Sequence, residues 1–428
     1  MFRSRFLLIL GTIASLLICL HSCSWISNQT NQTSSSSTNI LTNVDSIEQN
    51  NGDIFAKEVD SPVKNISTDH PITDSIVFSD LSVSYDLQKS ELLTDTGKLL
   101  AGMQIGDRSK LATIKNTTSW LNHRQFMTNS WKKLEEKQLS KIKQWQKRTI
   151  HELEDLESTV FYPFSNSNFI YAYSLFPQSQ EFMLFGLEPI GNLPEFQNMK
   201  EQELEREFKT IKNSLDAIFP QKYFDGDERQ NIQTHFVLPV LCVFLARSHN
   251  RIINIENIGI NNEGKLQSWQ AGMIPGVKIT FMIYGESNPK FLYYFSTELS
   301  NETLDNYPEI SKFINTQNNL FTYLNAASYL MHFDSFSEIR KLILSQSNYV
   351  LQDDSGLPIN AFEKDIWNLE FYGNYVRPIA LFEDKYQSQL WQIYHSQRNI
   401  EPLNFTIGYQ HDRESSNLML AKTKNNSK

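Results

Sequence analysis

Residues 277–284 read VKITFMIY, and residues 291–296 read FLYYFS. Both segments are rich in β-branched and aromatic residues, and the first alternates in part between apolar and polar positions, as strands do. The preceding segment 251–260, RIINIENIGI, has the same character, and the sequence NEGK at 262–265 supplies a turn. Together these segments predict an antiparallel meander.

Segments on the N-terminal side of the meander extend the predicted sheet. Residues 161–164 and 169–175 are bulky and aromatic, and they flank the polar sequence SNSN. This pattern predicts a strand, a turn and a second strand. Residues 181–187, EFMLFGL, predict the next strand, which Pro189 ends.

Two long segments show helical periodicity. Apolar residues recur at steps of three and four from Trp131 to Leu156, with lysine and glutamate between them, and predict one long amphipathic helix or two with a break. The same spacing from Met199 to Ile218 predicts another helix. The apolar run 236–246 is too short to cross a bilayer and predicts a buried helix or strand.

The rest of the chain completes an α+β protein, in which a helical N-terminal part packs on an antiparallel, aromatic-rich sheet. Residues 75–422 are expected to form one large domain, with two lobes divided near 220–235 as the alternative, and 423–428 a disordered tail. The remaining elements are helices near 304–313, 326–331, 336–344 and 386–394, strands at 349–351 and 367–372, and a terminal hairpin of 403–408 and 417–421.

The first residues have the features of a secretory signal: Arg3 and Arg5 precede an apolar run that ends at Leu20. The sequence LHSC at 20–23 resembles the lipobox of bacterial lipoproteins, although His21 departs from its usual apolar residue. The resemblance implies a signal peptide over residues 1–22 and a lipid on Cys23. Two alternatives remain: cleavage after Ser24, which releases a soluble exported protein, and an uncleaved leader that anchors the chain.

Residues 23–74 are rich in serine, threonine and asparagine and contain few apolar residues. Such a segment cannot bury enough apolar surface to offset its ordering entropy, so a disordered stalk is expected. A serine rather than an aspartate follows Cys23, which by the bacterial sorting pattern favours the outer membrane. The expected location is the cell envelope, with the lipid anchor in the membrane and the protein on the periplasmic or surface face.

Charge and cysteine content exclude several classes of function. The chain has a formal net charge of −9, with 39 basic and 48 acidic residues, and no basic patch with interleaved aromatic residues, so nucleic acid is not an expected partner. Cys242, within the apolar run, is expected to be a buried, inert thiol. Neither a cofactor nor a metal is predicted, because no glycine-rich phosphate loop, HExxH sequence or calcium-loop spacing occurs.

Four segments together resemble a family of bacterial exported proteins, many with lipoprotein-like leaders, for which no activity is assigned. The resemblance spans most of the chain after about residue 95 and implies an exported globular protein, but it transfers no catalytic residue. The segments are FYPFSNSNF at 161–169, SYLMH at 328–332, LQDDSGLP at 351–358 and FYGNY at 371–375.

The strongest candidate site lies between Ser328 and Gly356. Paired carboxylates on a loop after a strand, with a histidine able to approach, can perform acid–base chemistry or bind a cation, although Asp-Asp-Ser-Gly is also an ordinary turn sequence. The candidate residues are His332, Asp334, Asp353, Asp354, Ser355 and, farther along the chain, Tyr372.

A second candidate is a polar pocket for a sugar or peptide at the turn between aromatic segments; a plain hairpin turn is the alternative. Its residues are Ser165, Asn166, Ser167 and Asn168.

Two functions therefore follow from the sequence. The first is a lipid-anchored envelope protein that acts as a binding or structural module, with an envelope protein, a peptide or a glycan as its partner. The second is a hydrolase-type enzyme, which requires His332, Asp353 and Asp354 to meet in one pocket.

Overall fold

The computed structural model describes residues 75–76, 85–153, 158–165, 168–215, 218–219, 236–317, 319–408 and 415–424. The predicted signal peptide, the lipid site at Cys23 and the stalk up to residue 74 lie outside the described residues. The predicted tail lies outside them after Lys424, while its first residue, Thr423, belongs to a strand.

Two short strands, β1 (Ser75–Ile76) and β2 (Tyr85–Asp86), pair with each other. Within the described residues, ten further strands form one mixed sheet. They are β3 (Thr159–Tyr162), β4 (Glu181–Gly186), β5 (Asn250–Ile260), β6 (Leu266–Ser268), β7 (Ile274–Ile283), β8 (Lys290–Ser296), β9 (Leu320–Leu324), β10 (Ser347–Gln352), β11 (Trp367–Gly373) and β12 (Asn417–Thr423).

The strand order is β11-β12-β10-β9-β3-β4-β8-β7-β5-β6. The predicted meander is confirmed, since β5, β7 and β8 pair antiparallel. The centre differs from the prediction: β10, β9, β3, β4 and β8 are parallel neighbours, so the sheet is mixed rather than purely antiparallel. The α+β class is as predicted.

The helices divide between the two faces of the sheet. In chain order they are α1 (Leu87–Leu100), α2 (Thr118–Leu134), α3 (Ser140–Thr149), α4 (Phe169–Leu175), α5 (Glu201–Leu215), α6 (Val237–Arg247), α7 (Asn301–Asn306), α8 (Pro308–Asn315), α9 (Ser337–Gln346) and α10 (Ser388–Ser396). Among them, none combines the length and the apolar character needed to span a bilayer.

Alternate side chains of each central strand enter two separate cores. Val160 and Tyr162 of β3 join buried residues of α1–α6 on the first face, whereas Phe161 joins residues of α7–α10 on the second. A strand buried on both faces is apolar throughout, which explains the continuous aromatic runs that the sequence shows. The helical N-terminal part therefore packs on the first face, as predicted.

Three predicted elements are wrong. Residues 169–175 form α4 rather than a strand, because a short, wholly buried apolar run has no periodicity that separates the two structures. Pro308, which has no N–H to continue a helix, begins a new helix and divides the predicted helix 304–313. Residues 403–408 form no hairpin with β12: Phe405 packs into the first core, and β12 lies between β10 and β11.

Two crossovers leave the middle of the sheet in opposite directions. The chain runs from β3 through α4 to β4, and from β9 through α9 to β10, and these pairs lie on opposite sides of the β3–β9 contact. Helix α4 packs in the first core and α9 in the second. In sheets with parallel strands, this reversal creates a crevice at the carboxyl ends of the strands, where ligands commonly bind.

The position of β12 inside the sheet is testable through Leu420, which is fully buried. We expect Leu420→Ala to lower the free energy of unfolding by about 2–5 kcal/mol, because the cavity left in the first core cannot fill. Urea denaturation measures it. Lys422→Ala on the same strand is the matched control and should cost about 1 kcal/mol or less. Equal effects of the two substitutions would contradict an interior β12.

Candidate functional site

The predicted acidic residues lie at the carboxyl edge of the parallel strands. Asp353, Asp354 and Ser355 directly follow β10, and Asn325 and Ala326 follow its neighbour β9. Both aspartates are only 4% exposed. We call Asp353, Asp354 and the groups that donate hydrogen bonds to them the acidic cluster.

Asp353 holds together the two loops that leave β9 and β10. Its Oδ1 accepts hydrogen bonds from the N–H of Ser355, at 3.0 Å, and from the Ser355 hydroxyl. Its Oδ2 accepts a hydrogen bond from the N–H of Ala326 at 3.0 Å. The backbone of Ala326 has a φ of 57°, which is unfavourable for a non-glycine residue. Gly408 covers the carboxylate closely, since a Cβ at that position would collide with Oδ2.

Asp354 joins more distant parts of the chain. Its carboxylate accepts the hydroxyl of Tyr329 at 2.5 Å and the side-chain amide of Asn417, at the start of β12, at 2.9 Å. Its backbone carbonyl accepts the side-chain amide of Gln387, next to α10, at 3.1 Å. Hydrogen bonds to this one residue therefore connect the 3₁₀ segment after β9, the turn after β10, the start of β12 and the residue before α10.

The two carboxyl groups share a buried environment. Burial raises the pKa of Asp353, and the adjacent charge of Asp354 raises it further, against the lowering effect of its hydrogen bonds. Burial also raises the pKa of Asp354, against the bonds from Tyr329 and Asn417. The pair therefore retains a proton at pH values where an exposed carboxyl has lost it. Asn325 Oδ1 is buried beside Gly408 and has no donor among the described residues.

His332 approaches this region without joining the acidic cluster. Its ring lies 5.8 Å from that of Tyr329. Burial lowers the pKa of His332 to about 4, although the backbone carbonyls of Gly356 and Asp354 act in the opposite direction. Its Nε2 is buried and has no hydrogen-bond partner in the described part of the chain. The ring is therefore neutral near pH 7 and bonds to neither carboxylate nor to Ser355.

Two predicted residues lie elsewhere. Asp334 is exposed, in a short 3₁₀ turn before α9. Tyr372 donates its hydroxyl to Glu370 at 2.9 Å, and its ring packs edge-on against Trp145 at 5.2 Å. Because alternate residues of a strand face opposite sides, Tyr372 on β11 points into the first core rather than toward the acidic cluster.

The predicted polar pocket is, where it is described, a turn between β3 and α4. Ser165 is fully buried, and both its N–H and its hydroxyl donate to the carbonyl of Phe185, at 2.9 and 3.1 Å. The N–H of Asn168 donates to the Ser165 carbonyl. Ser165 thus fastens this turn to β4, while Asn166 and Ser167 lie outside the described residues.

Sequence reasoning missed most of the groups that bond to the aspartates. Tyr329 lies in a predicted helix that is in fact 3₁₀, and Asn417 begins a strand assigned to a hairpin. Asn325, which lies near the aspartates but bonds to neither, follows β9, a strand that the sequence does not predict. The strand-end position of an asparagine would have been the available signal for Asn325 if β9 had been recognised.

The chemistry open to the acidic cluster is limited. The described residues contain no group of three or more histidine, cysteine, aspartate or glutamate side chains placed to hold a metal ion. Four carboxylate oxygens already accept bonds from the fold, so a cation would have to displace these donors. Comparison of the sequence with protein-family models and with curated proteins gives no match.

The shared proton predicts an unusual dependence of stability on pH. In the unfolded chain a carboxyl has a pKa of about 4, so between about pH 4 and pH 7 the folded pair binds more protons than the unfolded chain. The contribution of this pair to the free energy of unfolding therefore falls as pH rises through this range. Asp353→Asn removes the repulsion between the two charges. The loss of stability between about pH 4 and pH 7 should therefore be smaller in this variant than in the wild type.

Denaturation curves at several pH values measure this difference. At about pH 4 the variant should be less stable by about 1–3 kcal/mol, because its amide group faces an N–H donor. The difference in free energy of unfolding between the variant and the wild type should narrow by about 1 kcal/mol or more as pH rises toward 7. Asp334→Asn, at an exposed carboxyl, is the matched control. A difference that is constant or widens with pH would contradict the shared proton.

Proposed function

We propose that this chain is a lipid-anchored protein of the bacterial cell envelope, and that its folded part is a binding or structural module. One observation carries the second half of the proposal. Asp353 and Asp354, the residues best suited to acid–base chemistry, use their carboxylate oxygens to join the segment after β9, the turn after β10 and the start of β12. Groups used in this way act as structural supports.

The arrangement of the nearby side chains favours binding over hydrolysis. A nucleophile needs a base within hydrogen-bond reach, and that base needs a group to orient it. The Ser355 hydroxyl donates to Asp353, with which it forms a buried turn, and His332 bonds to neither. The raised pKa of Asp353 is the feature that favours the alternative, a hydrolase-type enzyme, because catalytic acids often have such values.

The lipid anchor is supported by the leader and by the position of the third cysteine. Cys242 is fully buried in α6, and burial raises the pKa of its thiol, so it is not accessible to form a disulfide with Cys23. Two or more acyl chains hold a protein firmly at a membrane, whereas one does so only marginally. The serine after Cys23 favours the outer membrane, on its periplasmic or surface face.

Lipidation is tested by growing bacteria that express the chain with an alkyne fatty acid. We expect labelling of the wild-type protein and its loss in Cys23→Ala, because the thiol and the new N-terminus of Cys23 carry the acyl chains. Cys242→Ala is the matched control and should retain the label. Equal labelling of Cys23→Ala and wild type would contradict lipidation at Cys23. A mature N-terminus at Trp25 would contradict it as well and would favour soluble export.

The binding role is tested against the hydrolase alternative with the purified full chain and a panel of chromogenic esters, glycosides, peptides and phosphate esters. We expect no turnover that depends on the acidic cluster, so any residual rate should persist in His332→Ala and Asp354→Asn. The control is Asp334→Asn. A rate that both substitutions lower by about 100-fold or more, with the control unchanged, would establish the hydrolase instead.

A further inference from the structure

A cavity of about 540 Å³ lies on the first face of the sheet, among the helices and away from the acidic cluster. Met103, Trp131, Tyr173 and Pro177 form its apolar walls. The Tyr173 hydroxyl bonds to the buried side chain of Asn250 at 3.1 Å, which fixes α4 against the start of β5. The volume is within the range of small-molecule sites, and this wall is held in place before any ligand arrives.

The charged side chains that line the cavity are mostly basic. Lys143, Lys147 and Arg247 line it together with one carboxylate, Glu135. Lys143 pairs with Glu135 at 2.9 Å. Lys147 and Arg247 have no acidic partner in the described part of the chain. In a protein with a net charge of −9, a cavity with excess positive charge is a local feature rather than a consequence of composition.

Arg247 is the group that most requires an explanation. Its guanidinium lies 5.2 Å from the ring of Trp131, and one Nη donates to the carbonyl of Ala101. Its Nε is buried and has no hydrogen-bond partner among the described residues. Burial lowers the pKa of Arg247 to about 10, so the guanidinium remains charged near pH 7. A largely desolvated cation without an anion is unfavourable, and a bound anion would remove that cost.

We propose that this cavity binds a small amphipathic organic anion. The carboxylate or phosphate head of the ligand pairs with Arg247 and Lys147, and its aromatic or aliphatic body packs over Trp131 and Met103. Arginine suits such a head because its fork of N–H donors matches two oxygens at once. The proposal rests on the binding role proposed above and names the class of ligand for it.

Calorimetric titration of the purified full chain in mild detergent tests this assignment. The probes are benzoate, phenyl phosphate, inorganic phosphate and benzylamine. We expect benzoate or phenyl phosphate to bind, with the stronger of the two identifying the head group. Inorganic phosphate should bind more weakly because it lacks the apolar body, and benzylamine should not bind because its charge is reversed.

Substitutions connect binding to the cavity. Arg247→Gln should weaken the better probe by about tenfold or more, since a charge-assisted bond is lost. Lys147→Glu changes an exposed residue and should weaken binding by about fivefold or more without affecting the fold. The matched control is Lys133→Glu, which makes the same change on α2, outside the cavity. Thermal denaturation confirms that each variant is folded.

Three results would overturn the assignment: no binding of either aromatic anion at millimolar concentration, equal binding of benzylamine, or equal affinity in wild type and Lys147→Glu. Lipid labelling and the hydrolysis panel do not involve the cavity. If the anion titrations fail, the proposals for the envelope anchor and the acidic cluster are unaffected. If the labelling or hydrolysis experiments fail, the proposed anion site is unaffected.

Discussion

The hydrogen bonds to Asp354 are the interaction on which the carboxyl edge of the sheet depends. Tyr329, Asn417 and Gln387 come from three segments that are far apart in the sequence, and all three donate to this residue. The bonds from Tyr329 and Asn417 are buried, where an unpaired polar group is costly. These segments are therefore fixed relative to one another by the need to satisfy a single buried residue.

This constraint explains why the crevice at the β3–β9 reversal is filled with polar contacts from the chain itself. In many sheets with this topology, the loops at the reversal stay open and hold a ligand. Here Asp353 binds the Ala326 amide, and Gly408 lies directly against its carboxylate. The chain thus supplies at this position the groups that a ligand would otherwise supply. A raised pKa in such a place reflects burial and does not require a catalytic role.

The sequence predicts the structure well where the signal is local. The antiparallel strands β5, β7 and β8 were recognisable because alternation and a turn at 262–265 occur within one short stretch. The parallel strands at the centre of the sheet were not recognisable, because their pairing depends on crossovers that bring distant segments together. The same holds for the acidic cluster. Asp353, Asp354 and Ser355 adjoin one another in the chain, whereas Tyr329 and Asn417 reach them only through the order of β9, β10 and β12.

The two polar regions of the protein differ in a way that bears on binding. In the acidic cluster, negative groups are satisfied by donors of the fold and are closed to solvent. In the cavity, Arg247 and Lys147 have no acidic partner within the described residues, and the apolar walls leave room for a ligand. The hydrogen bond from Tyr173 to Asn250 fixes α4 against β5 beside the cavity, so this wall does not depend on the bonds to Asp354. A ligand can therefore enter the cavity without disturbing the hydrogen bonds that hold the sheet edge together.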